Sequence, residues 1–169
     1  MVKLEDIKKN AKIFEMDRLS DALIRAPLYR SRLIVVNAEQ IEQIDCLSLN
    51  LNRLLSEQLI STPKQERAKS VTLFLDQIIR TVSEDIVCLS GLEILFDRSL
   101  AIDPIRLLAS CSKNKTLLVS WPGDKTSSGL SYATPSHPEH RTYKASDLSD
   151  VIFLTADAQL HLRNVNEIR

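Results

Sequence analysis

Four unbroken runs of apolar, β-branched-rich residues constrain this 169-residue chain more than any other feature. They are Arg32-Leu-Ile-Val-Val-Asn37, Ile86-Val-Cys-Leu-Ser90, Lys115-Thr-Leu-Leu-Val-Ser-Trp121 and Asp150-Val-Ile-Phe-Leu-Thr155, with Cys46-Leu-Ser-Leu-Asn50 as a shorter fifth. A strand with one wet face alternates polar and apolar residues, so an unbroken run predicts a strand covered on both faces, as in a parallel sheet. Between the runs the apolar spacing changes to threes and fours. Strand and helix patterns alternate four or five times. They predict an α/β fold, with a mostly parallel sheet of four to five strands flanked by helices in one domain over residues 1–169.

The helices announce themselves through caps. Leu51, Leu54, Leu55 and Leu59 form a stripe that Asn50 can start and that must stop before Pro63. Thr62-Pro63-Lys64-Gln65 predicts a second helix start with a capping box, followed by Ala68, Val71, Leu75, Ile78, Ile79 and Val82. Asp103-Pro104 caps a third, through Leu107, Leu108 and Cys111. Leu4, Ile7, Ala11 and Phe14, then Leu19, Ala22 and Leu23, predict one or two amphipathic helices over about residues 1–27. Prolines, glycines and serines across about 122–140 predict a long loop with room for a short strand at Leu130–Ala133.

Composition matters for what it excludes. The only glycines are Gly91, Gly123 and Gly129, so no glycine-rich phosphate loop follows a strand. Twenty-two basic and 22 acidic residues leave no global field for nucleic acid or anionic membranes. No run of 18 apolar residues occurs and the first residues are charged, which predicts a cytoplasmic protein without a membrane segment. Cys46, Cys88 and Cys111 form no CxxC pair and read as buried thiols.

Few residues suggest chemistry. His137-Pro-Glu-His140 is the densest cluster of ligand-type groups, but Pro138 and the lack of a nearby third ligand favour a polar turn over a metal site. Ser90 and Ser120 end buried strands without a nucleophile elbow around them. Glu93 and Asp97 follow the Ile86–Ser90 strand, where a hydrolase acid could sit, although capping or pairing with Arg98 is the commoner role. Arg98, Arg106, Lys113, Lys115 and Lys125 could form a modest basic edge, or be solvated separately. Trp121 either anchors the following loop in the core or contacts a partner.

Asn50–Glu57, Leu92–Leu100 running into Asp103–Leu108, Ser112–Gly123 and Tyr132–Tyr143 together resemble the BrxF family, the small P-loop proteins of type 3 bacteriophage-exclusion (BREX) defence systems. The last block, with its ordered Tyr, Pro, His-Pro-Glu, Arg and Tyr, is the most specific. The resemblance implies a P-loop NTPase-like fold and partners such as a large ATPase, a DNA methyltransferase and a phosphatase-like protein. Two departures stand out. Only eight residues separate Asn37 from Cys46, where a phosphate loop and helix need about 19, and Glu39, Glu42 and Asp45 are among them. Ser90 replaces the acid that should end the central strand and hold magnesium.

The expected protein is therefore a degenerate, non-catalytic relative: a scaffold or interaction subunit of a phage-defence system, with no cofactor and no metal. Its expected contact surface is Arg98, Trp121, His137, Glu139, Arg141 and Tyr143, with Ser90 and Glu93 as remnants of a nucleotide site. Two alternatives are an ATP-responsive switch acting in an oligomer through Glu93, Arg98 and Arg141, and a weak DNA-binding accessory using Arg106, Lys113, Lys115 and Lys125.

Overall fold

The unbroken runs become strands whose successive side chains supply two different cores. A computed structural model describes residues 14–29, 32–126, 128–160 and 165–167. Its main sheet contains β1 (Phe14–Arg18), β2 (Leu33–Val36), β3 (Leu47–Asn50), β4 (Ile86–Ser90), β5 (Thr116–Ser120) and β9 (Val151–Gln159), in the order β1-β9-β2-β5-β4-β3. Every neighbouring pair is parallel. Leu33, Val35, Val87, Leu89, Leu117, Val119, Val151 and Phe153 face one core, and Ile34, Val36, Ile86, Cys88, Leu118, Ile152 and Leu154 the other. That alternation is the period-two geometry of a strand, and it explains why neither face tolerates a polar residue. Each fully buried Leu or Ile contributes about 1.5–3 kcal/mol.

The first core is roofed by α3 (Leu51–Ile60), α4 (Arg67–Thr81) and α5 (Pro104–Cys111), which insert Leu51, Leu55, Val71, Leu75, Ile79, Leu107 and Leu108. Asn50 and Asp103 cap α3 and α5 by accepting from the Arg53 and Arg106 backbone N–H groups, as the sequence predicts. The second core lies under α1 (Leu19–Arg25), which buries Leu19, Ala22 and Leu23.

Several expectations need correction. Phe14 belongs to strand β1, which pairs with β9 from Phe14↔Ile152 onward and raises the sheet to six strands; Leu4, Ile7 and Ala11 lie outside the described residues. Met16 is buried while Glu15 and Asp17 are exposed, a short alternation that suits a sheet edge and is hidden inside a helical spacing. Thr62 does not cap α4: its hydroxyl donates back to the Gln58 carbonyl at 2.8 Å, and a 3₁₀ turn over Lys64–Glu66 precedes α4. Leu92–Phe96 is also 3₁₀.

The largest correction concerns residues 122–140. They supply β6 (Asp124–Thr126) and β7 (Gly129–Tyr132), the latter the short strand expected at Leu130–Ala133, and these form an antiparallel sheet with β8 (Arg141–Lys144). Gly123 and Gly129 permit this packing: a Cβ on either would lie within 2 Å of the Ser131 or Tyr143 carbonyl oxygen. Finally, adjacent β3 and β4 bring Cys46 and Cys88 into a disulfide, with Cα atoms 6.4 Å apart, so only Cys111 is a free buried thiol. Burial first, and then Asp76, push that thiol up to about 11, against an opposing effect of Arg80.

Candidate functional site

In a parallel sheet, ligands bind outside the carboxyl ends of strands whose following connections diverge. Here those strands are β2 and β5. The chain leaves β2 for β3 at the far edge, whereas it leaves β5 for β9 on the other side of β2. The crevice between them is lined by Asn37, Ala38 and Glu39 after β2, Gly91 and Glu93 after β4, and Ser120, Trp121, Pro122 and Gly123 after β5. At about 490 Å³ it is large enough for a small ligand.

Its chemistry argues against a phosphate. The eight residues after Asn37 contain a short helix, α2 (Ala38–Glu42), whose N-terminus is closed by its own side chains. Asn37 Oδ1 accepts from the Gln40 N–H at 2.7 Å, and Gln40 Oε1 accepts from the Asn37 N–H at 2.9 Å. Gln40 is only 3% exposed, and its Nε2 donates to the Thr155 carbonyl on β9 at 2.5 Å. Two of the backbone amides at this point, those of Asn37 and Gln40, are thereby occupied. Glu39 and Glu93 are the charged residues lining the crevice, and both are negative. Glu93 thus does sit where the strand ends meet. Ser90 is half-buried at the end of β4, and Gly91 (φ 64°) turns the chain away in the left-handed conformation, close against Asn50. Sequence reasoning missed Gln40, although Asn-x-x-Gln after a strand is itself a capping-box signal.

Trp121 and Tyr143, expected on a contact surface, are buried to 6% and 7% exposure, and this corrects that assignment. Trp121 Nε1 donates to the Ser131 carbonyl at 3.0 Å, and the indole packs edge-on to Phe96 and to Tyr143. Tyr132 stacks on Phe96 with ring centroids 3.9 Å apart. This aromatic pier fastens the small sheet to the main one. Burial, followed by the Glu139 and Glu93 charges, raises the Tyr132 phenol. The Tyr143 phenol is pushed up to about 12, chiefly by burial.

The other four contact candidates do come together. Arg98, His137, Glu139 and Arg141 line one cleft of about 460 Å³ with Phe96, Asp97, Ala101, Ile102, Pro138 and His140. It is separate from the crevice that holds Glu93, so the three residues proposed for an ATP-responsive switch do not share one cleft. His137 Nδ1 accepts from the Glu139 N–H, and His140 Nδ1 lies 3.1 Å from the Ala133 carbonyl, so both imidazoles fix turns. Among the described residues no group of three or more His, Cys, Asp or Glu is placed to hold a metal ion.

The basic edge does not assemble. Lys113 and Lys115 precede β5 and Lys125 follows it, roughly 16 Å of strand apart. Lys115 donates to the Val82 carbonyl, Lys125 pairs with Glu15 at 3.2 Å, and Arg106 lies on α5 in a groove with Asp103 and Asp147.

The fold and crevice define an α/β protein with an all-parallel six-stranded main sheet, whose corner between β2 and β5 is capped by the Asn37 and Gln40 side chains. No family model, curated protein or solved structure matches the chain. Among the described residues no helix is long and apolar enough to cross a membrane.

Proposed function

We propose that this chain is a non-catalytic scaffold or interaction subunit of a multi-protein, BREX-like bacteriophage-defence system, built on a degenerate P-loop NTPase-like fold. The observation that carries the non-catalytic reading is the Asn37–Gln40 capping box, which occupies the Asn37 and Gln40 N–H donors at the crevice between β2 and β5, beside the negative Glu39 and Glu93. An NTPase needs those donors free and a cation nearby. The defence assignment draws on the resemblance of residues 50–143 to the BrxF family. Its partners would be other proteins of the same system, and the cleft around Arg98, His137, Glu139 and Arg141 the accessible contact surface.

Calorimetric titration of the chain with Mg-ATP tests the first half, with no saturable heat expected in the micromolar range; micromolar binding would overturn it. Affinity purification from a host carrying the neighbouring defence genes tests the second. Recovery of those gene products is expected, and their absence overturns the assignment.

A further inference from the structure

Ala101 and Ala133 are the only non-glycine residues with positive φ among those described, at 49° and 59°. One of them lines the cleft around Arg98, His137, Glu139 and Arg141, and the other supports a residue that does. Ala101 lines it from the turn that follows Asp97, and the Ala133 carbonyl holds the His140 ring, which also lines it. An L-residue in this conformation is strained, and such strain persists where the surrounding structure enforces a particular shape, commonly at binding sites.

The donors in the cleft are unusually free. The Arg98 guanidinium is exposed and has no hydrogen bond or ion pair among the described residues. Arg141 gives Nη1 to the Ile102 carbonyl at 3.1 Å, lies 4.0 Å from Asp103 and also meets the Tyr143 hydroxyl, so only part of its five-donor fork remains available. Because His137 Nδ1 accepts from the Glu139 N–H, the neutral ring carries its proton on Nε2 as another donor. Two carboxylates share the lining. Asp97 is engaged, with Oδ1 accepting from the Ser99 N–H and hydroxyl at 2.8 and 2.7 Å, whereas the Glu139 carboxylate has no hydrogen bond or ion pair among the described residues. Free donors therefore outnumber the one free acceptor group.

We propose that this cleft binds an oxyanion, a phosphate or carboxylate group, on the free donors of Arg98, Arg141 and His137, with Glu139 opposing it. Planar guanidinium forks suit both anions, and the pre-shaped walls reduce the ordering cost of binding. The site is distinct from the crevice between β2 and β5 and does not depend on the role in phage defence.

The test is an NMR titration of the ¹⁵N-labelled full chain with inorganic phosphate and, separately, with acetate. Saturable amide shifts at residues 98, 137 and 139–141 are expected at millimolar concentration. Arg98→Ala should weaken binding about tenfold or more, while Glu139→Gln should tighten it severalfold. Both positions lie outside the buried core, so both variants should fold. Saturation by phosphate alone assigns a phosphoryl ligand, and saturation by acetate too a carboxylate; either supports the proposal. Absence of saturation with both anions, shifts unchanged in Arg98→Ala, or weaker binding in Glu139→Gln would overturn it.

Discussion

The Tyr143 hydroxyl donates to the Asp103 carboxylate at 2.9 Å, tying the last strand of the antiparallel sheet to the residue that caps α5. Tyr143→Phe removes that bond and leaves Asp103 its capping role. The expected loss is about 1–2 kcal/mol in urea unfolding.

The same phenol makes stability depend on alkaline pH. Burial raises its folded pKa to about 12 from 10.0, so the neutral form is favoured in the folded state. Its contribution is whole below pH 10 and declines as pH rises toward 12, because the unfolded chain loses the proton first. Between those values the stability of the wild type should fall more steeply than that of Tyr143→Phe, by up to about 1.4 kcal/mol per pH unit. Equal slopes in denaturant titrations would refute this.

Gln40→Ala would leave the Asn37 N–H and the Thr155 carbonyl without their side-chain partner at a nearly buried position. A loss of about 1–3 kcal/mol is expected, read by thermal or chemical unfolding. If the change is neutral, the cap is not what closes this corner.

The disulfide predicts a thiol count. Under denaturing, non-reducing conditions one reactive thiol, Cys111, should be titrated, and three after reduction. Since the bridge spans 42 residues of sequence, reduction should lower stability by about 4 kcal/mol.

Ala101→Gly and Ala133→Gly should each raise stability by about 0.5–1 kcal/mol, because glycine relieves the left-handed strain at φ 49° and 59°. A lower melting temperature in both would show that these methyl groups pack usefully.

Legibility in the sequence followed burial. Leu33–Val36, Ile86–Ser90, Thr116–Ser120 and Val151–Leu154 are covered on both faces, and that demand writes itself as an unbroken apolar run. Asn50 and Asp103 were equally readable, since a cap acts within three residues. Edge strand β1 was not, because its few alternating residues also fit a helical spacing and its partner β9 is far away in sequence. Of the small sheet only β7 is legible, as the expected strand at Leu130–Ala133; β6 and β8 are not, because the strands are three or four residues long and are held by Trp121 and Tyr143 rather than by their own pattern. For the candidate sites, the sequence located an absent phosphate loop but could not show that Gln40 reaches β9. Nor could it separate Trp121 and Tyr143, which face inward, from Arg98 and His137, which do not.

Strand β2 lies between β9 and β5, so its neighbours are made 80 or more residues after it. During synthesis Leu33–Val36 must wait, unpaired on both edges, until the carboxyl-terminal part of the chain emerges. Such long-range parallel pairing is slow, and it exposes an adhesive segment in the interval. The order of strands therefore gives the nascent chain an interval of exposed, unpaired strand edges that the finished molecule no longer shows.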